Sequence, residues 1–120
     1  LAVYAGLADC TDPVVTVEES DLEDADRYIR TLLRRIGVDP DAATPGADGL
    51  DLLRRLAVAH ATMIAALRGA ADGETVLWRK HESYRTQAAG LEKAVNAETL
   101  GLSAPGGGAS GWGNVAVGRG

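Results

Sequence analysis

The chain has 120 residues, enough for one domain and too few for a large two-domain enzyme. Its apolar share of 46 % rests on 21 Ala, 14 Leu and 10 Val, with 3 Ile and no Phe. That composition suits closely packed helices better than a β-sandwich of branched and aromatic residues. A formal charge of −5 argues against a nucleic-acid or anionic-membrane partner, and the single Cys10 excludes an internal disulfide framework or a Cys-based zinc cluster.

No basic n-region opens the chain, so no signal peptide is expected, and the reading is of a soluble, cytosolic, mainly helical domain. Residues 9–19 carry Pro13 and the β-branched group Val14, Val15, Thr16 and Val17, which reads as a loop or a short extended arm. Ser20-Asp21-Leu22-Glu23 then has the form of a capping box. Leu22, Ala25, Ile29, Leu32, Leu33 and Ile36 follow as one continuous helical stripe. Glu23 with Arg27 and Asp26 with Arg30 are acid-before-base pairs one turn apart. Gly37 stands where a left-handed C-cap belongs, and Pro40 opposes continuation.

Residues 38–49, with Pro40, Pro45, Gly46 and Gly49, read as a loop. A second helix is expected to start near Asp48, whose carboxylate can cap it, with Leu53, Leu56, Ala57, His60, Ile64 and Leu67 as its stripe. The run 56–67 is the most apolar in the chain, but it is shorter than a bilayer span and is interrupted by His60. The third helix begins around 73–75 and carries Leu77, His81, Tyr84, Ala88, Leu91 and Val95 at alternating spacings, a narrow coiled-coil-like seam. Gly90 weakens it unless close packing needs the missing side chain, and fraying is expected near Thr99 to Gly101. The expected fold is an all-α bundle of three main helices with an extended N-terminal arm and a Gly-rich C-terminal tail. Its parts are a helical domain at 1–102 and a docking tail at 103–120.

That tail offers only Trp112, Val115 and Val117 for burial. It is expected to be mobile in isolation and to become ordered on a partner. Trp112 would then fill a pocket with Asn114 turned to solvent, while Val115 and Val117 line one side of an extended segment.

No catalytic, cofactor or metal constellation emerges. Gly106, Gly108 and Gly111 spell G-x-G-x-x-G, but a finished helix precedes them and too little chain follows for a phosphate-binding helix. His60 and His81 lie on neighbouring stripes, as packing or interface histidines, as a pH-sensitive contact, or as two ligands where zinc wants three or four. Asp39, Asp41, Asp48 and Asp51 miss the calcium-loop pattern, since Ala43 and Leu50 occupy ligand positions. His81, Glu82 and Ser83 are adjacent and diverge on a helix, which precludes a triad. Asp9 and Asp12 beside Cys10 raise its pKa and oppose a reactive thiolate. The cluster Arg27, Arg30, Arg34 and Arg35 has three readings: a solvated helix face, a subunit contact, or a nucleic-acid stripe lacking aromatic interleaving. As a subunit contact, Arg34 and Arg35 would meet Glu18, Glu19 or Asp21 of a neighbouring copy.

The order of features is suggestive: Tyr-Ala-x-Leu-Ala-Asp at 4–9, a Leu/Ile helix ending Arg-Ile-Gly-Val, then Leu-Ala-Val-Ala-His-Ala, and finally Lys-His-Glu-Ser-Tyr-Arg running to Ala-Glu-Thr-Leu-Gly-Leu. Over residues 4–102 this resembles the small head–tail connector (adaptor) proteins of tailed bacteriophages. The resemblance implies a structural virion protein, not an enzyme, assembled in the host cytoplasm and placed at the head–tail interface. It implies a homo-oligomeric ring, commonly a dodecamer, beneath the portal protein, extending the DNA conduit toward the next tail-side ring or stopper protein. DNA would only pass through the lumen, no membrane would be involved, and the C-terminal segment with Trp112 would latch onto the portal or adjacent ring. An acidic subunit suits a lumen that should repel passing DNA. The alternative is a small helical DNA-associated regulator or antitoxin-like protein.

Overall fold

A computed structural model describes residues 4–71, 73 and 75–102. The expectations for the tail at 103–120, including Trp112, Asn114, Val115 and Val117, lie outside the described residues. The fold is all-α: a short 3-10 turn at Leu7–Asp9, then α1 (Glu19–Arg35), α2 (Ala47–Ala70) and α3 (Thr75–Lys93), with no strand among the described residues. Consecutive helices run antiparallel, and α2 lies between α1 and α3.

Helix α1 begins two residues earlier than the Ser20–Glu23 box predicts. Its N-cap is Glu18, whose backbone N–H donates to the Asp21 carboxylate at 2.8 Å. Ser20 and Glu23 are exposed. Asp21 outcompetes them because a cation from α2 holds its carboxylate in place over the helix start. Glu19 and Asp21 in the first turn and Arg34 and Arg35 in the last oppose the macrodipole at each end. Termination follows the sequence: Gly37 takes φ +84°, its N–H donates to Arg34 O at 3.1 Å, and the Val38 N–H reaches Leu33 O at 2.8 Å. This is the Schellman arrangement, and it satisfies two otherwise orphaned carbonyls. The predicted stripe is buried from Leu22 to Leu33, while Ile36, the C-cap, turns outward.

Helix α2 differs more from expectation. Gly46 is its N-cap, and Asp48 sits inside the first turn instead of capping it. The buried set includes Ala59, Ala61, Thr62, Ala65 and Ala66 beside the expected Leu53, Leu56 and Ala57, and Leu67 is 47 % exposed. A helix packed on two sides has no single stripe, and its small residues let both neighbours approach. Gly69 shows the closeness: a Cβ there would lie 2.5 Å from the Leu77 side chain.

The α3 seam is as predicted from Leu77 to Leu91, with His81 and Ala88 buried and Leu77, Tyr84 and Leu91 half-buried, but the helix ends at Lys93, so the buried Val95 lies in the segment beyond it. The expected fraying at Thr99 to Gly101 does not occur, because the helix has already ended at Lys93 and a separate hydrogen-bonded turn follows. Asn96 and Thr99 bond reciprocally, side chain to backbone N–H, at 2.9 and 3.0 Å. Gly101 (φ +71°) repeats the Gly37 pattern, with Leu102 N–H on Ala97 O at 2.9 Å. The turn drives Leu100 completely into the core, where its carbonyl accepts the Gly46 N–H at 2.9 Å.

Candidate functional site

The most heavily built polar region joins the N-terminal arm to the α2–α3 pair. Asp12 begins an Asx turn before Pro13, accepting the Val14 N–H at 2.9 Å. Its other oxygen accepts the Tyr84 hydroxyl at 2.7 Å and lies 3.0 Å from Lys80 Nζ. Burial alone would raise the Asp12 pKa, but these hydrogen bonds and the Lys80 charge outweigh it and hold the carboxyl below its ordinary value. Tyr84 is pushed up to about 12, by burial first and then by its bond to Asp12. Four residues along the arm, the Thr16 carbonyl accepts from Arg68 at 3.3 Å. Between these anchors Val15 packs on Ala65, Ala66 and Leu77. Beside it opens a cleft of ≈ 350 Å³ lined by Val14, Thr16, Glu18, Ala65, Arg68 and Leu77, among others.

Of the acidic residues expected to face a neighbouring copy, Asp21 is taken within its own chain. Only 2 % exposed, it receives Arg68 through both terminal nitrogens at 2.6 and 2.9 Å. Burial works against its charge, yet the Arg68 hydrogen bonds prevail and its pKa is lowered. The reason is topological: antiparallel packing sets the last turn of α2 against the first turn of α1. Glu18 is exposed and 3.7 Å from Arg68, and Glu19 is exposed with no ion pair among the described residues. Arg34 and Arg35 are exposed and likewise unpaired among those residues.

The basic cluster is not one patch. Arg30 is buried, bonded to Asp26 at 3.0 Å and to Asp41 at 2.7 Å, while Arg27 pairs with Asp24 on the surface. The acidic loop is similarly occupied: Asp39 accepts the Asp41 N–H at 3.0 Å and Asp51 pairs with Arg55 at 2.9 Å. The two histidines do not converge. His60 stacks on Tyr28, with centroids 4.0 Å apart and planes 3° from parallel. His81 donates from Nδ1 to Met63 O at 3.0 Å and lies against Trp78. Burial lowers the His60 pKa against a weaker opposing pull from Asp24. The Tyr28 hydroxyl donates to Glu92, bridging α1 to α3. Cys10 has a raised pKa, chiefly from burial and secondarily from Asp9 and Asp21, so the predicted direction stands with a different leading cause. Among the described residues no group of three or more His, Cys, Asp or Glu is placed to hold a metal ion, and no helix is long and apolar enough to cross a membrane.

Sequence reasoning missed Asp12, Arg68, Lys80 and Tyr84 as a set. The Asp12-Pro13 dipeptide is a turn signal that could have marked Asp12 alone; its partners stand some seventy positions away, where no local pattern connects them.

The described residues define a small all-α fold of three helices, consecutive ones antiparallel, with a pinned N-terminal arm. No family model, curated protein or solved structure matches the chain.

Proposed function

We propose that the protein is a structural, self-assembling subunit of the head–tail connector type, forming a ring at the vertex where phage DNA passes from head to tail. The observation that carries this reading is the polarity of α1. Glu19 stands exposed and unpaired among the described residues at its start, beside a Glu18 that lies 3.7 Å from Arg68 of its own chain, and Arg34 and Arg35 stand exposed at its end, about 24 Å away by helical rise. Groups so placed cannot meet within one copy, and they complement one another between copies. A contact between two different patches of the same chain closes into a ring when the rotation permits. The half-exposed Leu67, Val76 and Trp78 add apolar surface of the kind that contacts use. In this reading the tail from residue 103, with Trp112, Asn114, Val115 and Val117, latches onto the portal or the next ring.

Native mass spectrometry of the full chain, with Arg34→Glu alone and combined with Glu19→Arg, tests the assembly. The expected result is an oligomer weakened by the first change and restored by the second. A monomer at every concentration would overturn the reading, and salt-dependent DNA binding by that monomer would favour a DNA-associated regulator. Trp112→Ala should leave the melting temperature unchanged and abolish attachment to the portal.

A further inference from the structure

We propose that the N-terminal arm, residues 4–17, is exchanged between copies on assembly, so that each subunit's arm lies in the α2–α3 seam of its neighbour. This rests on the self-assembling reading above and deepens it.

The arm is a separable unit. Its backbone–backbone hydrogen bonds are internal, Asp9 N–H to Gly6 O and Cys10 N–H to Leu7 O, and none joins it to the rest of the described chain. Side chains hold it instead. Arg54 donates to Tyr4 O at 3.2 Å, Lys80 and Tyr84 hold Asp12, and Arg68 holds Thr16 O. All four belong to α2 or α3, and Tyr4 and Ala5 are in addition buried in the main core that α1 shares, so exchange carries them into the same core of the neighbour. The link into α1 is extended through Glu18 (φ −108°, ψ 164°), and Thr16 is exposed. The cleft beside Val14 and Thr16 leaves that link room to take another course.

A second copy is the occupant whose complementarity is already built. Its Asp12 would meet the same Lys80 and Tyr84, and its Val15 the same Ala65, Ala66 and Leu77. Exchange therefore keeps every arm contact and changes only the course of the link, which is why swapping identical segments is a low-cost route to assembly. The α1 contacts between copies supply the net gain, and a one-directional swap propagates round a ring.

The Asp12–Lys80 pair provides the readout. Unlabelled and heavy-isotope-labelled full chains are mixed in equal amounts, unfolded and refolded together, and treated with a carbodiimide, which joins a carboxylate to an amine at salt-bridge distance. Exchange predicts that about half of the Asp12–Lys80 linked peptides carry one light and one heavy member, as random pairing of identical segments requires. Linked peptides of a single isotope in a protein that native mass spectrometry shows to be oligomeric would overturn exchange and leave self-assembly standing. A monomer throughout would overturn both. Should the buried Asp12 resist the reagent, Asp12→Cys with Lys80→Cys in a Cys10→Ser background is joined by a bismaleimide. A ladder of oligomers on a denaturing gel is then the expected result, and a single monomer band from the oligomeric protein overturns the proposal.

Discussion

Arg68, in the last turn of α2, grips Asp21, in the first turn of α1, with both terminal guanidinium nitrogens, at 2.6 and 2.9 Å. The same carboxylate caps α1 through the Glu18 N–H. One side chain thus fixes where α1 starts and how it sits on α2, and the same arginine tethers the arm at Thr16.

Removing Arg68 leaves a carboxylate that is 2 % exposed without its counter-charge. Fully buried pairs lose about 3–5 kcal/mol when broken. Arg68 is 45 % exposed, so solvent already screens part of the attraction. Arg68→Ala should therefore cost about 2 kcal/mol, seen as a lower urea midpoint at unchanged slope.

Asp12 and Asp21 both have folded pKa values below those of the unfolded chain. The unfolded state then binds more protons over that interval, so stability rises with pH across it. Their contribution is complete above the unfolded value of about 3.9 and is lost as pH falls through the folded values. Urea midpoints measured down to acid pH should fall below about pH 4, and less steeply in Asp21→Asn than in the parent.

His60 titrates in a different window. Its folded pKa lies below the unfolded value of about 6.5 because burial disfavours the imidazolium. Stability is full above that value and declines as pH falls from it toward the folded pKa. His60→Phe retains the stack on Tyr28 without the titration, so its melting temperature should be flat where the parent's declines.

Two glycines should respond oppositely to Ala. A Cβ at Gly90 meets nothing within 4 Å on the exposed face of α3, so Gly90→Ala should stabilise by about 1 kcal/mol through helix propensity. A Cβ at Gly49 would lie 2.6 Å from the Leu100 backbone, which cannot move aside as a side-chain tip would. Gly49→Ala should cost on the order of 1–3 kcal/mol, and thermal melts of the two variants give the comparison.

What the sequence determined by itself is the set of properties with short-range causes. The stripe from Leu22 to Leu33 and the α3 seam from Leu77 to Leu91 follow from helical period, and the α1 stop from the αL preference of Gly37. Tertiary structure decided whatever depends on who faces whom. The buried alanines of α2 could not be assigned while its second neighbour was unknown, because Ala carries too weak a hydrophobic signal to mark a face. The N-cap of α1 moved to Glu18 because Arg68 holds Asp21 over the helix end, and the turn at Asn96 to Gly101 stayed folded because Gly49 leaves room for Leu100 and the Gly46 N–H holds its carbonyl. Asp12 found Lys80 and Tyr84 only when the chain had folded back on itself: an ion pair needs a few ångströms of separation and is indifferent to the number of residues between.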